Sequence, residues 1–344
     1  LPDVAENSFG KILEEFNEAI RVAQEEAKQS GKSVVHLNLD AITDKYIQQF
    51  VQHTNRPLLI YAVDFFDGRK AAVAGNEISI TLSDKDGIVE ATRTLPDGPL
   101  DLILHSPGGS LDATESIVAI LRQKFNDIRI FIPCVAKSAA TMLALAGDEI
   151  YLATSAELGP IDPQMVLRKD GGVYQSAAQA IIDQFEVAQK ELAANPNKLP
   201  AWIPILPMYG PSLYQDCKNA IALSKTMVRN WLVEYMFKGL GKKRDRVNRA
   251  RRVVNFFANH KLLKSHGRKI GLIEIDKNLK GLMRVKKLDD DVVLYNGVMG
   301  IYFCLLQTFQ RSGAFKVIMN SRGKRYIRQV QIPIPPQQIP IPQP

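Results

Sequence analysis

Leu100-Asp101-Leu102-Ile103-Leu104-His105-Ser106-Pro107-Gly108-Gly109 is the stretch from which the fold is read. An apolar run ends in a proline and two glycines, the pattern of a buried strand entering a tight turn. A helical pattern follows from Leu111 to Phe125. A second apolar run, Ile128 to Val135, leads into Ala136-Lys137-Ser138-Ala139-Ala140-Thr141-Met142, where small residues continue as a helix to Ala146. A third strand, Glu149 to Ala153, leads into Leu158-Gly159-Pro160-Ile161-Asp162-Pro163-Gln164. Strand and helix alternate, so the fold class is α/β with a parallel sheet. Functional groups of such sheets collect beyond the carboxyl ends of the strands. The Gly108-Gly109 turn and Ser138 both fall there.

Outward from this centre, residues 8 to 30 read as an amphipathic helix and Asp44 to His53 as a second. Val34 to Leu39 is a short apolar run of either type, and Leu58 to Val63 a buried strand. Residues 64 to 81 read as a loop, after which Ser83 is placed to cap a helix from Asp84 to Leu95. Beyond Gln164, Lys169 to Gly172 reads as a surface turn and Ser176 to Ala193 as a helix. Pro200 to Pro211, rich in proline and aromatics, reads as a packed irregular loop. Helices are expected over Ser212 to Phe237, Arg244 to His260 and Asp289 to Ser312. The proline-dense end, Ile332 to Pro344, suits a disordered tail. The expected organisation is an N-terminal helical segment (1–54), a main domain (55–320) and a tail (321–344).

The 344 residues are 46% apolar and 23% charged, ordinary for a soluble globular protein. The net charge of +8 arises largely in the last hundred residues. Solvated helix faces account for it, with a membrane-surface or nucleic-acid contact as the alternative. Cys134, Cys217 and Cys304 stand at no metal-ligand spacing and read as the reduced thiols of a cytoplasmic protein. No metal, no cofactor and no phosphate-binding glycine loop is expected. The first residues lack a basic region followed by an apolar run, so no signal peptide is expected. Val292 to Phe309 is apolar but interrupted by Asn296, Gly297, Gly300 and Gln307, and reads as a core helix rather than a span.

Ser138 carries the chemistry. A serine where a strand gives way to a helix exposes its hydroxyl at the strand end, and the next amide, that of Ala139, can face a developing negative charge. The same position also suits a simple helix cap. Gly108 and Gly109 allow backbone geometry closed to other residues, so bare amides can face a cleft. Lys137 is a poor base, because neighbouring side chains diverge.

Together, Leu102 to Gly109, Ala136 to Met142 and Leu158 to Gln164 resemble the serine dehydrogenase proteinase family, which is similar to the Clp protease proteolytic subunit and to signal peptide peptidase A. The likeness continues in order through Phe185 to Glu191, Asn195-Pro196, Trp202 to Pro204, Lys264-Ser265-His266-Gly267 and Gly313 to Lys316, over roughly residues 55 to 320. It implies a Clp/crotonase-like spiral of βα units with a helical C-terminal extension. It also implies a homo-oligomeric serine peptidase acting on polypeptides through an acyl-enzyme on Ser138, with Gly108, Gly109 and Ala139 shaping the oxyanion hole. The base departs from the Clp pattern: Gly159-Pro160-Ile161-Asp162 stands where a triad histidine would fall. Signal peptide peptidase A uses a lysine, and Lys190 is then the first candidate, with Lys169 and His266 behind it. A lysine base needs burial, whereas histidine titrates near neutrality unaided. Asp162, held between two prolines, can orient a base, bind substrate or cap the next segment. Another reading is a catalytically weak or inactive scaffold on this fold that works through oligomerisation. Acyl-CoA chemistry is disfavoured by the Ala-Lys-Ser-Ala-Ala pattern.

Overall fold

A computed structural model describes residues 9–30, 40–169 and 172–331. The apolar run Val34 to Leu39 and the proline-dense end from Ile332 lie outside the described residues, as do Asp170 and Gly171 of the expected turn. The strands are β1 (Leu58–Val63), β2 (Gly98–His105), β3 (Phe125–Ile132), β4 (Val135–Ala136), β5 (Glu149–Leu152), β6 (Glu157–Leu158), β7 (Gln164–Lys169), β8 (Gly172–Ala177), β9 (Val285–Lys287), β10 (Ala314–Asn320) and β11 (Arg325–Gln329). Seven of them form one sheet in the order β11-β10-β1-β2-β3-β5-β9. From β1 to β9 the pairing is parallel. β10 runs antiparallel to β1, and β11 to β10. β4 and β6 make a short parallel pair, and β7 and β8 an antiparallel hairpin.

The helices are α1 (Phe9–Ser30), α2 (Asp40–Thr54), α3 (Gly68–Ala74), α4 (Asp84–Arg93), α5 (Leu111–Lys124), α6 (Ala139–Leu145), α7 (Ala178–Ala194), α8 (Leu199–Trp202), α9 (Leu213–Glu234), α10 (Lys243–Phe257), α11 (His260–Leu263), α12 (Leu272–Leu279) and α13 (Val292–Arg311). The expected mixed α/β fold with a parallel centre is present. Every residue of β1 and the last six of β2 are buried, which is why they read as unbroken apolar runs. α1 and α2 pack on α13, and Ile12, Phe16, Tyr46 and Phe50 join the same core as the sheet. The N-terminal helices therefore have no core of their own. α13 is long and apolar enough to cross a membrane, yet 56% of its most apolar window is buried inside the protein. Gly297 lets it approach α2: a Cβ there would lie 2.9 Å from Phe50.

Some expectations change. Residues 64–81 hold α3, whose N-cap Asp67 accepts from the Arg69 amide. Ser83 does not cap α4; its hydroxyl bonds Glu77 instead, at 3.0 Å. The β7–β8 hairpin is missing from the sequence reading because its residues are partly exposed and keep no strict alternation. The helical C-terminal extension ends in strands. β10 is wholly buried although Lys316 stands in its middle, because the Lys316 ammonium meets Asp84 at 2.8 Å with both side chains fully buried. β11 carries the main sheet past residue 320, so the domain edge drawn there falls inside the fold.

Candidate active site

The parallel sheet sets the site at the carboxyl ends of β2 and β3. β3 ends at Ile132, and the chain returns as β4 alongside the end of β2. There the Ser106 amide donates to Val135 O (2.9 Å) and the Lys137 amide to Ser106 O (3.1 Å). This pairing places the turn after β2 against the turn after β4. Ser138 occupies that second turn with φ 51° and ψ −121°, left-handed for a residue with a side chain. Such a conformation costs on the order of 1–3 kcal/mol and persists only where the surroundings impose it. It is the strand–turn–helix geometry that presents a serine hydroxyl outward. The Ser138 side chain makes no capping bond to α6, so the cap reading does not hold.

Gly108 and Gly109 explain how the two turns come so close. Gly108 has φ 101°, and a Cβ on it would lie 2.5 Å from Lys137 O and 2.8 Å from Ser138 Cβ. A Cβ on Gly109 would lie 2.3 Å from Ile80 O. Ile80 stitches the turn from its other side, donating to Gly108 O at 2.7 Å and accepting from the Ser110 amide at 2.9 Å. The Gly108 amide is occupied by Ser106 Oγ at 3.2 Å. Among the described residues, the Gly109 and Ala139 amides have no acceptor. Gly108 thus contributes close approach, and Gly109 and Ala139 contribute unspent donors.

A cavity of about 750 Å³ opens over these turns, lined by Gly108, Gly109, Ser138, Ala139, Asp162 and His266 among others. Met142 and Ile161 give it apolar wall, and Met165, Val166 and Gln175 from the β7–β8 hairpin roof it. Asp162 is 4% exposed. His266 Nδ1 lies 2.7 Å from Asp162 Oδ1, and His260 Nδ1 lies 3.2 Å from Oδ2. Gln164 Nε2 also donates to Oδ2, at 3.1 Å. The Asp162 segment is fixed by its backbone: Ile161 N donates to Phe257 O (3.0 Å) and Ala178 N to Pro163 O (2.9 Å). Thr141 ties it back to the serine helix, its Oγ1 donating to Ala136 O and accepting from the Gly159 amide at 2.9 Å.

The structure brings together Ser138, Gly108, Gly109, Ala139, Asp162 and His266. It does not bring Lys190 to them. α7 buries Ala178, Ile181, Ile182 and Ala188, and Lys190 lies exposed off that face, outside the cavity lining. Lys190 has none of the burial on which a lysine base depends. Lys169 is the last residue of β7. His105 is 1% exposed and packs under the glycine turn among Phe65, Phe66 and Tyr302. Burial pushes its imidazole down to about 4, with a bond to the Val135 backbone opposing. Lys137 turns away from the cavity and bonds Leu158 O at 3.2 Å. His260 and Thr141 were not identified from sequence; no local pattern distinguishes either from an ordinary helix residue. A second, open groove of about 790 Å³ between α1 and α2 is lined by Glu14, Glu18 and Lys45 among others.

Residues 77–191 match the profile of a family described as ClpP-like SDH-type serine proteinase. Two proteins of Methanocaldococcus jannaschii (strain ATCC 43067), the uncharacterized proteins MJ0137 and MJ1495, are each 41% identical over 87 residues. Each match spans 25% of this chain and 30% of the relative. Among solved structures, the 1510-N membrane-bound stomatin-specific protease is similar at 14% identity and a TM-score of 0.34, as a lysine-to-alanine mutant in complex with a substrate peptide. That likeness covers 72% of this chain and 82% of that one. A serine-to-alanine mutant of the same protease is similar at 15% identity and a TM-score of 0.31, covering 60% and 74%. Over residues 77–191, which hold Gly108, Gly109, Ser138 and Asp162, this chain is similar to the ClpP-like SDH-type serine proteinases.

Proposed function

We propose that this protein is a serine peptidase whose nucleophile is Ser138, whose general base is His266 and whose orienting carboxylate is Asp162. The observation that carries this reading is the 2.7 Å contact of His266 Nδ1 with Asp162 Oδ1 in the cavity that Ser138 lines. With Nδ1–H donating to Asp162, Nε2 is the nitrogen left to take a proton from the serine. Ser138 Oγ attacks the carbonyl of a peptide bond, and His266 Nε2 accepts the hydroxyl proton. The oxyanion forms toward the Gly109 and Ala139 amides, each worth about 10²–10³ in turnover. The protonated imidazole, held by Asp162, then donates to the leaving amine. Water repeats the cycle on the acyl-enzyme. The substrate class is a polypeptide, with its side chains against the apolar wall. The homo-oligomer implied by the resemblance belongs to the same reading, as does a cytoplasmic setting, which suits the three free thiols.

A fluorophosphonate probe tests it. Ser138 in the folded protein labels, and Ser138→Ala abolishes labelling. His266→Ala slows peptide turnover by about 10²–10⁴, and Lys190→Ala leaves it unchanged. A parent protein that stays unlabelled and inactive while binding peptides would return the scaffold reading. A collapse of activity in Lys190→Ala, with His266→Ala at parent level, would move the base back to the lysine.

A further inference from the structure

Lys137 is next to Ser138 in sequence, and its side chain leaves the cavity on the opposite side. Its ammonium reaches three backbone carbonyls: Leu158 O at 3.2 Å, Arg268 O at 3.2 Å and Gly267 O at 3.4 Å. The Glu157 carboxylate pairs with it at 3.2 Å. Lysine carries three donors on one point charge, so it suits convergent carbonyls from separate segments. The segments it joins are those that hold the site. Leu158 precedes the Asp162 turn, and Gly267 and Arg268 follow His266 directly. Besides the His266–Asp162 contact, a short antiparallel bridge through Leu158 and Ile270, with bonds of 3.0 and 3.1 Å, ties these segments.

The surroundings are shaped for this side chain. A Cβ on Gly159 would lie 2.6 Å from Lys137 Cδ, so the glycine leaves room for the lysine stem. The side chain is 16% exposed. Burial disfavours its charge, and Glu157 opposes that effect.

We propose that Lys137 is a positioning residue of the active site: it clamps the His266 loop to the end of β6, so that the imidazole stays on Asp162 and faces Ser138. The inference rests on the peptidase reading for its kinetic consequence, but the clamp itself is a statement about His266. The serine's immediate neighbour would then fix the base, and one turn of chain would carry the nucleophile on one side and the base's anchor on the other.

The test uses the full chain with Lys137→Met, which keeps the stem and removes the donors, and Lys137→Arg, which restores donors and charge. Two readings are taken: peptide turnover, and the low-field proton resonance of the His266 Nδ1–H bound to Asp162, assigned by its loss in His266→Gln. Thermal melting shows that each variant is folded. In Lys137→Met, kcat falls about 10²-fold, the effect of a misplacement near 1 Å. KM stays near the parent value, and the resonance broadens or disappears. Lys137→Arg recovers most of both. Parent-level turnover in Lys137→Met with the resonance intact overturns the proposal. So does a loss of turnover with the resonance intact, since Lys137 would then act by charge or on substrate. If the parent proves inactive and unlabelled, the peptidase reading fails by itself. The resonance still decides the clamp, and its persistence in Lys137→Met overturns it.

Discussion

At the scale of single residues, the site depends on positions that tolerate little change. Gly108→Ala would combine a left-handed backbone with a Cβ 2.5 Å from Lys137 O, a backbone atom that cannot swing aside. The variant should lose about 2 kcal/mol or more of stability and nearly all labelling of Ser138. Melting and fluorophosphonate kinetics check both. His105 gives a pH prediction. An unfolded chain binds a proton on histidine near pH 6.5, and the buried imidazole does so only near 4. Between those values the unfolded state holds more protons, so stability falls as pH drops from about 6.5 toward 4, by up to about 3 kcal/mol, and the effect levels off below. Replacing the ring by an aromatic that does not titrate, in His105→Phe, should flatten that part of the melting-temperature profile. A profile as steep as the parent's would assign the acid sensitivity to other groups.

At the scale of elements, β10 shows how one charge can hide a central strand. Lys316 and Asp84 are both fully buried, and Asp84 also accepts from Tyr61 OH (2.7 Å) and the Thr81 amide (2.9 Å). Tyr61 is in β1 and Thr81 lies just before α4, so the carboxylate joins three parts of the fold. Lys316→Met would leave that carboxylate uncompensated, at a cost of about 3–5 kcal/mol. Adding Asp84→Asn should recover part of the loss, because the orphaned charge is then gone. Denaturant unfolding of the single and double variants measures the difference. The β7–β8 hairpin is bound by different forces. It rests on a satellite core of Ala178, Ile181, Ile182, Tyr209 and Cys217, with Met165 and Leu167 packed against it. Met165, Val166 and Gln175 of the hairpin line the cavity.

At the scale of the whole molecule, β11 closes one edge of the main sheet. β11 lies antiparallel on β10, Arg328 pairs with Glu77, and Arg325 reaches Asp44 of α2 at 2.8 Å. Tyr326 packs over Gly87, where a Cβ would meet its ring at 2.7 Å. A chain ending at Asn320 should therefore be about 2–4 kcal/mol less stable than one ending at Gln331, from the lost apolar contact and ion pairs. Equal melting temperatures would return residue 320 to the role of a domain edge. Three separate regions supply the site. β2 and β4 bring the glycines and the serine, the segment after β6 brings Asp162, and the α11–α12 loop brings His266 from the far C-terminal side.

The sequence by itself determined the α/β class, the parallel centre, the serine turn and the glycine turn. Each of these is written locally along residues 100–164, as an apolar run, a turn composition or a run of small residues. Asp162 was legible for the same reason, between two prolines at a strand end. Only the tertiary structure decided which base candidate reaches the cavity. Lys190 stood first by residue type and distance along the chain, with His266 behind it, but α7 turns Lys190 to solvent while the loop after α11 carries His266 to Asp162. The same holds for Lys137, Lys316 and β11, whose partners are distant in sequence. A side chain's burial and its partner's approach are set by packing between elements, and no pattern within an element encodes them.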